Sequence, residues 1–131
     1  MLNLKVLKVS FFQTVFAKGG HYALEKLAQS GYDVVGLDWT MDPQKARTIL
    51  GPNVTLQGNL DPCALYAPSE DLKTRVKEMG GKFGKTRWIA NLGHGIYLDM
   101  DLESMTTFVN DQIERKTWKK KLLKMGHACI F

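Results

Sequence analysis

A chain of 131 residues, 44% hydrophobic and 24% charged, can bury one real core and has the composition of a globular domain. It has no apolar run near the ~18 residues that a membrane span needs. Lys5, Lys8 and Gln13 interrupt any signal-peptide core, and no Arg- and Ser-rich transit segment is present. The net charge of +5 does not point to nucleic acid: residues 115–131 hold six of the 18 basic residues and no acid, leaving 12 bases against 13 acids, or −1.

Residues 1–13 alternate loosely (Leu2, Leu4 and Val6 against Asn3, Lys5 and Leu7), a strand or a frayed leader. Thr14–Ala17 is β-branched and aromatic and predicts a short buried strand, broken by Lys18-Gly19-Gly20. His21–Ser30 carries Ala23, Leu24, Leu27 and Ala28 at helical spacing, with Gly31 as its stop. Asp33–Trp39 predicts a second strand, apolar on both faces through Val34, Val35 and Leu37. Asp42-Pro43 starts a helix, the carboxylate capping free N–H groups and the proline fitting the first helical position; Gly51-Pro52 ends it.

Val54–Asn59 predicts a third strand, and Asp61-Pro62 opens a helical turn through Tyr66. Ser69, Glu70 and Asp71 open a longer helix, with acids where the dipole favours them. Its buried stripe is Leu72, Val76 and Met79, and Gly80, Gly81 and Gly84 are expected to close it. Arg87–Asn91 predicts a fourth strand. Asp99 or Asp101 caps a last helix whose stripe is Met105, Phe108, Val109 and Ile113.

Four strands alternating with helices predict an α/β fold with parallel pairing through right-handed crossovers. Each strand ends in a polar residue and a turn: Lys18; Asp38; Gln57 with Asn59; Asn91 with His94. In a parallel sheet these should gather along one rim, the edge where α/β proteins bind ligands. Either they bond loop backbone there or they face a ligand. His94, between Gly93 and Gly95 in WIANLGHGIY, is the first site candidate, because an imidazole can both donate and accept a proton. Its bland alternative is a loop histidine satisfied by backbone. Asp38 in GLDW is the second candidate, with a carboxylate that ties down its own loop as the alternative.

Other signals are weaker. Cys63 and Cys129 form neither a disulfide framework nor zinc spacing, which makes a cytosolic, reduced protein the default. Gly80, Gly81 and Gly84 lack phosphate-loop spacing, and Met79, Met100 and Met105 read as core filler. ERKTWKKKLLK could lie on an anionic membrane, but a solvated charged helix end is the preferred reading, and Cys129 is third rather than fourth from the end, so no prenylation motif exists.

FAKGGHYALEKLAQSGYDVVGLDWT, VTLQGNLDPCALYA and WIANLGHGIYLDMD resemble the carboxyl-terminal part of the uroporphyrinogen decarboxylase family, animal-type, from about Thr14 to about Gln112. The resemblance implies the carboxyl-terminal half of a (β/α)8 barrel, acting as a cytoplasmic homodimer in haem biosynthesis. It implies a cofactor- and metal-free lyase that removes the four acetate carboxylates of uroporphyrinogen III to give coproporphyrinogen III. His94 stands at the histidine of the family's NLGHG motif, which lines the substrate pocket; no other site residue carries over, and no catalytic residue is assigned.

The family's amino-terminal half is not represented, and with it go the arginines that hold substrate carboxylates. The expected organisation is therefore a divergent leader (1–13), a partial barrel (14–113) and a basic tail (114–131). The isolated chain is expected to be catalytically incomplete, and to pair with another half barrel or a full-length relative. The alternative is a non-catalytic family member that binds or interferes with the full-length enzyme. A corrinoid-type methyltransferase is a third reading, disfavoured because Cys63 stands alone with no H-x-C pair and reads as a buried structural thiol.

Overall fold

The computed structural model describes residues 12–114. Most of the leader, the basic tail and Cys129 lie outside the described residues, as does the side chain of Ile113. Four strands run in parallel in chain order: β1 (Thr14–Phe16), β2 (Val34–Gly36), β3 (Thr55–Leu60) and β4 (Trp88–Leu92). Between and after them come α1 (Leu24–Ala28), α2 (Pro43–Leu50), α3 (Ser69–Phe83) and α4 (Leu102–Glu114), with 3-10 turns at Gly20–Ala23 and Pro62–Tyr66. No helix among the described residues is long and apolar enough to cross a membrane.

The pairing register sorts the strand residues into two faces. Val15, Val35, Leu56 and Trp88 lie side by side, followed two residues on by Leu37 and Ala90 and then by Leu60 and Leu92. This row packs against Leu24, Ala46, Leu72, Val76, Phe83 and Phe108 of the helices to make one core. Each fully buried valine, leucine or phenylalanine among them contributes roughly 1.5–3 kcal/mol by leaving water. The helices pack as neighbours in the same order, α1 on α2, α2 on α3 and α3 on α4, so they form one layer. On the opposite face Val34 and Gly36 are buried, whereas Thr14 and Phe16 are exposed and Gln57, Ile89 and Asn91 are half-buried.

The two Asp-Pro starts form as the sequence predicts. Asp42 accepts from the Gln44 N–H at 2.8 Å and Asp61 from the Cys63 N–H at 2.9 Å, with proline in the first turn of each. Asp101 rather than Asp99 caps α4, accepting from the Glu103 N–H at 3.2 Å. Phe108 is buried in α4, and Met105 and Val109 pack beside it.

Four expectations are corrected. β1 forms but is not a buried strand: Thr14 and Phe16 are exposed and Val15 half-buried, because β1 lies at the sheet edge with β2 as its one partner among the described residues. The first helix begins as a 3-10 turn and its α part ends at Ala28, because Gly19 is left-handed and feeds a tight turn rather than a helical one. The double glycine Gly80-Gly81 does not end α3, which runs on to Phe83 with Gly84 beyond it. Phe83 extends the stripe of Val76 and Met79 by one more turn and stacks on Trp88 at 5.0 Å, and this burial outweighs the weak helix propensity of glycine. Cys63 is exposed, not a buried thiol: its turn directs Pro62, Ala64 and Leu65 inward and Cys63 out.

Candidate functional site

All four strand ends meet at the carboxyl rim. After β1, the Gly20 N–H donates to the Ala17 oxygen at 2.9 Å, and Gly19 has φ 72° and ψ 8°. These are the marks of a type II turn with Lys18 and Gly19 at its centre, and glycine supplies the left-handed position. The turn is pinned a second time from β2, because the Gly19 N–H donates to Asp38 Oδ2 at 2.5 Å.

Asp38 is 5% exposed, and its other oxygen accepts from the Thr40 N–H at 2.9 Å and the Thr40 hydroxyl at 2.5 Å. Burial pushes this carboxyl up. The Thr40 hydroxyl, the Gly19 and Thr40 N–H groups and the charge of His21 outweigh that and hold it below its ordinary value. Asp38 thus ties the β1 and β2 loops together, the scaffolding alternative for this residue. Asn59, at the end of β3, does similar work: its amide donates to the Asp38 oxygen at 2.8 Å and the Met41 oxygen at 2.6 Å.

After β4 the chain passes directly over Trp39. A Cβ on Gly93 would collide with the Trp39 backbone nitrogen, so only glycine lets the two loops approach this closely. His94 follows, half-buried, with its ring edge-on to Trp39 (centroids 4.6 Å, 70°) and to Tyr97 (5.4 Å, 74°). His94 Nδ1 is 2.6 Å from the Gly95 oxygen. A carbonyl only accepts, so Nδ1 carries the proton, and in the neutral ring Nε2 presents its lone pair, 3.5 Å from the Tyr97 hydroxyl. The loop is held from below by the Tyr66 hydroxyl, which donates to Asp99 Oδ1 at 2.7 Å; that bond pushes the Tyr66 pKa up to about 12.

The Lys18 ammonium also lies against Trp39, 4.9 Å from the ring centroid. The rim therefore holds a cation, an indole, an imidazole and a phenol contributed by three strand ends. Trp39 and Tyr97 were not singled out by sequence reasoning; the signal available was that Trp39 directly follows Asp38 at a strand end. Gln57 does not reach the rim, because β3 continues three residues past it and Gln57 lies mid-strand beside Gly36 and Ile89.

A cleft of about 340 Å³ opens toward the helices, lined by Trp39 and Asn59 but also by Asp42, Arg75, Glu78 and Lys82. Neither His94 nor Lys18 borders it, and the Asp42 carboxylate is committed to its helix cap. The two candidates from the sequence, His94 and Asp38, therefore lie at the rim and do not border this cleft. Among the described residues no three metal-ligating side chains come together.

Over 96 residues, 73% of its length, the chain is 62% identical to uroporphyrinogen decarboxylase from Homo sapiens and 53% identical to that from Salinibacter ruber. It covers 26% and 27% of those relatives, so it spans about a quarter of their length. A solved methyltransferase from Methanosarcina mazei superposes with a TM-score of 0.65 at 21% identity, covering 77% of this chain and 30% of that one, a likeness of fold alone. The family model of uroporphyrinogen decarboxylase matches residues 5–113, beginning ahead of the motifs quoted above. By that match, the chain belongs to the uroporphyrinogen decarboxylase family.

Proposed function

We propose that this chain supplies the carboxyl-terminal half of a uroporphyrinogen decarboxylase barrel, with residues 14–113 as its four βα units between a leader and a basic tail. The reaction it would serve is loss of the four acetate carboxylates of uroporphyrinogen III to give coproporphyrinogen III, in the cytoplasm. His94 is the substrate contact: its Nε2 accepts when neutral and donates when protonated, either of which can hold a tetrapyrrole or one of its carboxylates. The observation that carries this reading is the NLGHG histidine at the carboxyl ends of the strands, ringed by Trp39 and Tyr97.

Two features support a barrel sector over an open doubly wound sheet. The strand order β1-β2-β3-β4 never reverses, and the helices form one layer. Four strands cannot close, and β1 and β4 each have one partner among the described residues. Such edges favour association with another half barrel or with a full-length relative.

By themselves the 131 residues are catalytically incomplete. Purified chain supplied with uroporphyrinogen III should release no coproporphyrinogen, and size-exclusion chromatography should find it in assemblies larger than a monomer. Measurable turnover by a stable monomer would overturn the half-barrel reading. A second reading, a non-catalytic partner of the full-length enzyme, is favoured by the same open edges. It predicts co-elution with a full-length relative and a change in that enzyme's rate.

A further inference from the structure

The Lys18 ammonium is a cation at the rim that the fold holds in place without an ion-pair partner among the described residues. Its backbone sits in a turn closed by the Gly20–Ala17 hydrogen bond and anchored again through Gly19 to Asp38. Its side chain reaches over the Trp39 ring, where the indole face attracts a cation. Yet it has no carboxylate partner among the described residues, where the ion pair present is Lys73–Glu70. Asp38, which anchors the same turn, has both oxygens taken up by Gly19 and Thr40. His94, against the same ring, also keeps bonding capacity: Nδ1 is used by Gly95, and Nε2 has only the 3.5 Å approach of Tyr97.

From this we propose that Lys18 and His94, held against the same indole, form a two-pronged carboxylate-binding subsite. Its ligand class is a ring system bearing at least two carboxylates, one bonded by the Lys18 ammonium and the other by His94 Nε2, with the Trp39 ring as an apolar contact near both. The assignment of Lys18 and Trp39 rests on the reading of the rim as a substrate site, and it identifies the cation that this part of the chain contributes. Lys18 is exposed, so its charge is available to a ligand but also to salt, and its contribution should fade as ionic strength rises.

The test uses the full 131-residue chain with two probes, citrate and uroporphyrin, followed by the NMR signals of the Trp39 indole N–H and the His94 ring. Wild-type chain should bind both probes with shifts at Trp39 and His94. K18Q, which keeps the stem but not the charge, should weaken both by about tenfold at low salt, and K18R should restore most of the loss. The K18Q deficit should shrink at high salt. If citrate binds in this Lys18-dependent way and uroporphyrin does not bind at all, the subsite stands and the tetrapyrrole reading fails. If uroporphyrin binds K18Q as well as wild type, the tetrapyrrole reading stands and the Lys18 subsite is overturned. It is equally overturned if neither probe shifts Trp39 and His94 in the wild-type chain.

Discussion

The two ends of the sheet use polar side chains in opposite ways. At the amino-terminal end Arg47 donates to three carbonyls: Gly51 at 3.2 Å, Val54 at 2.6 Å and Arg87 at 3.0 Å. One guanidinium thereby closes the end of α2 and holds the starts of β3 and β4, with its fork spent on scaffold. At the carboxyl end Asp38 and Asn59 are spent in the same manner, but Lys18, His94 and Tyr97 keep donors or acceptors that the fold does not use. Polarity at a strand end is therefore not the mark of a site. Unused bonding capacity on a fixed backbone separates His94, the first candidate of the sequence, from Asp38, the second.

The sharpest way to break that contrast is at Gly93. Gly93→Ala sets a Cβ against the Trp39 backbone nitrogen, which no side-chain rotation can relieve. One of the two loops must move, at a cost of about 3 kcal/mol, in the upper range for overpacking. Urea unfolding should register that loss, and the ring-current shifts between His94 and Trp39 should collapse with it. A variant that retained those shifts would mean that the loops are less tightly apposed than 4.6 Å between rings implies.

Asp38→Asn asks whether this residue is scaffold. The amide keeps one acceptor oxygen for Thr40 but turns a donor toward the Gly19 N–H, for a loss of about 2 kcal/mol. Acid gives an independent measure. The folded carboxyl titrates below its ordinary value, so its contribution is complete above the ordinary carboxylate range and fades as pH falls through that range toward the folded pKa. Wild-type stability should therefore carry an acid-side decline that Asp38→Asn lacks. Equal declines in the two proteins would remove Asp38 from the list of anchors.

The order of elements was legible because each rested on a local cause. The Asp-Pro pairs at 42–43 and 61–62 cap and start helices through local bonds, and the Val, Leu and Trp side chains of β2, β3 and β4 are ones that favour burial. What was not legible depended on distant partners. Gly80-Gly81 looks like a stop until Phe83 is known to stack on Trp88. Cys63 looks buried until its turn is seen to face outward. Trp39 looks like the end of an apolar strand until Gly93, 54 positions later, brings His94 against it. The rim was predicted as a place, but which of its residues were free could only come from counting bonds in three dimensions.

Arg47→Met tests the other end of the sheet. The aliphatic stem is retained and three carbonyls lose a charged donor. Because the side chain is only half-buried, water can reoccupy part of what is lost, and the cost should be about 1.5 kcal/mol. The useful readout is the pairing of effects: stability falls while the Trp39 and His94 signals and their response to citrate stay as in wild type. If the response changed as well, the two ends of the sheet would be energetically coupled and the division of labour drawn above would fail.

The smallest effect should be a gain. Two helical starts use Asp followed by Pro, with caps of 2.8 and 2.9 Å, whereas α4 uses Asp101 followed by Leu102, with a longer cap of 3.2 Å. Leu102 is 77% exposed, so its side chain contributes little to the core, and an N–H at the first helical position has no acceptor within the helix. Proline there would restrict the unfolded chain while fitting the folded one, as at Pro43 and Pro62, where the preceding aspartates are already extended at ψ 119° and 121°. Leu102→Pro should therefore stabilise by about 0.5 kcal/mol and raise the melting temperature by a few degrees. A loss instead would mean that the exposed Leu102 is covered in the assembled protein, at the helix start that follows the His94 loop. The carboxyl rim would then be an association surface as well as a ligand site, with no counterpart at the Arg47 end.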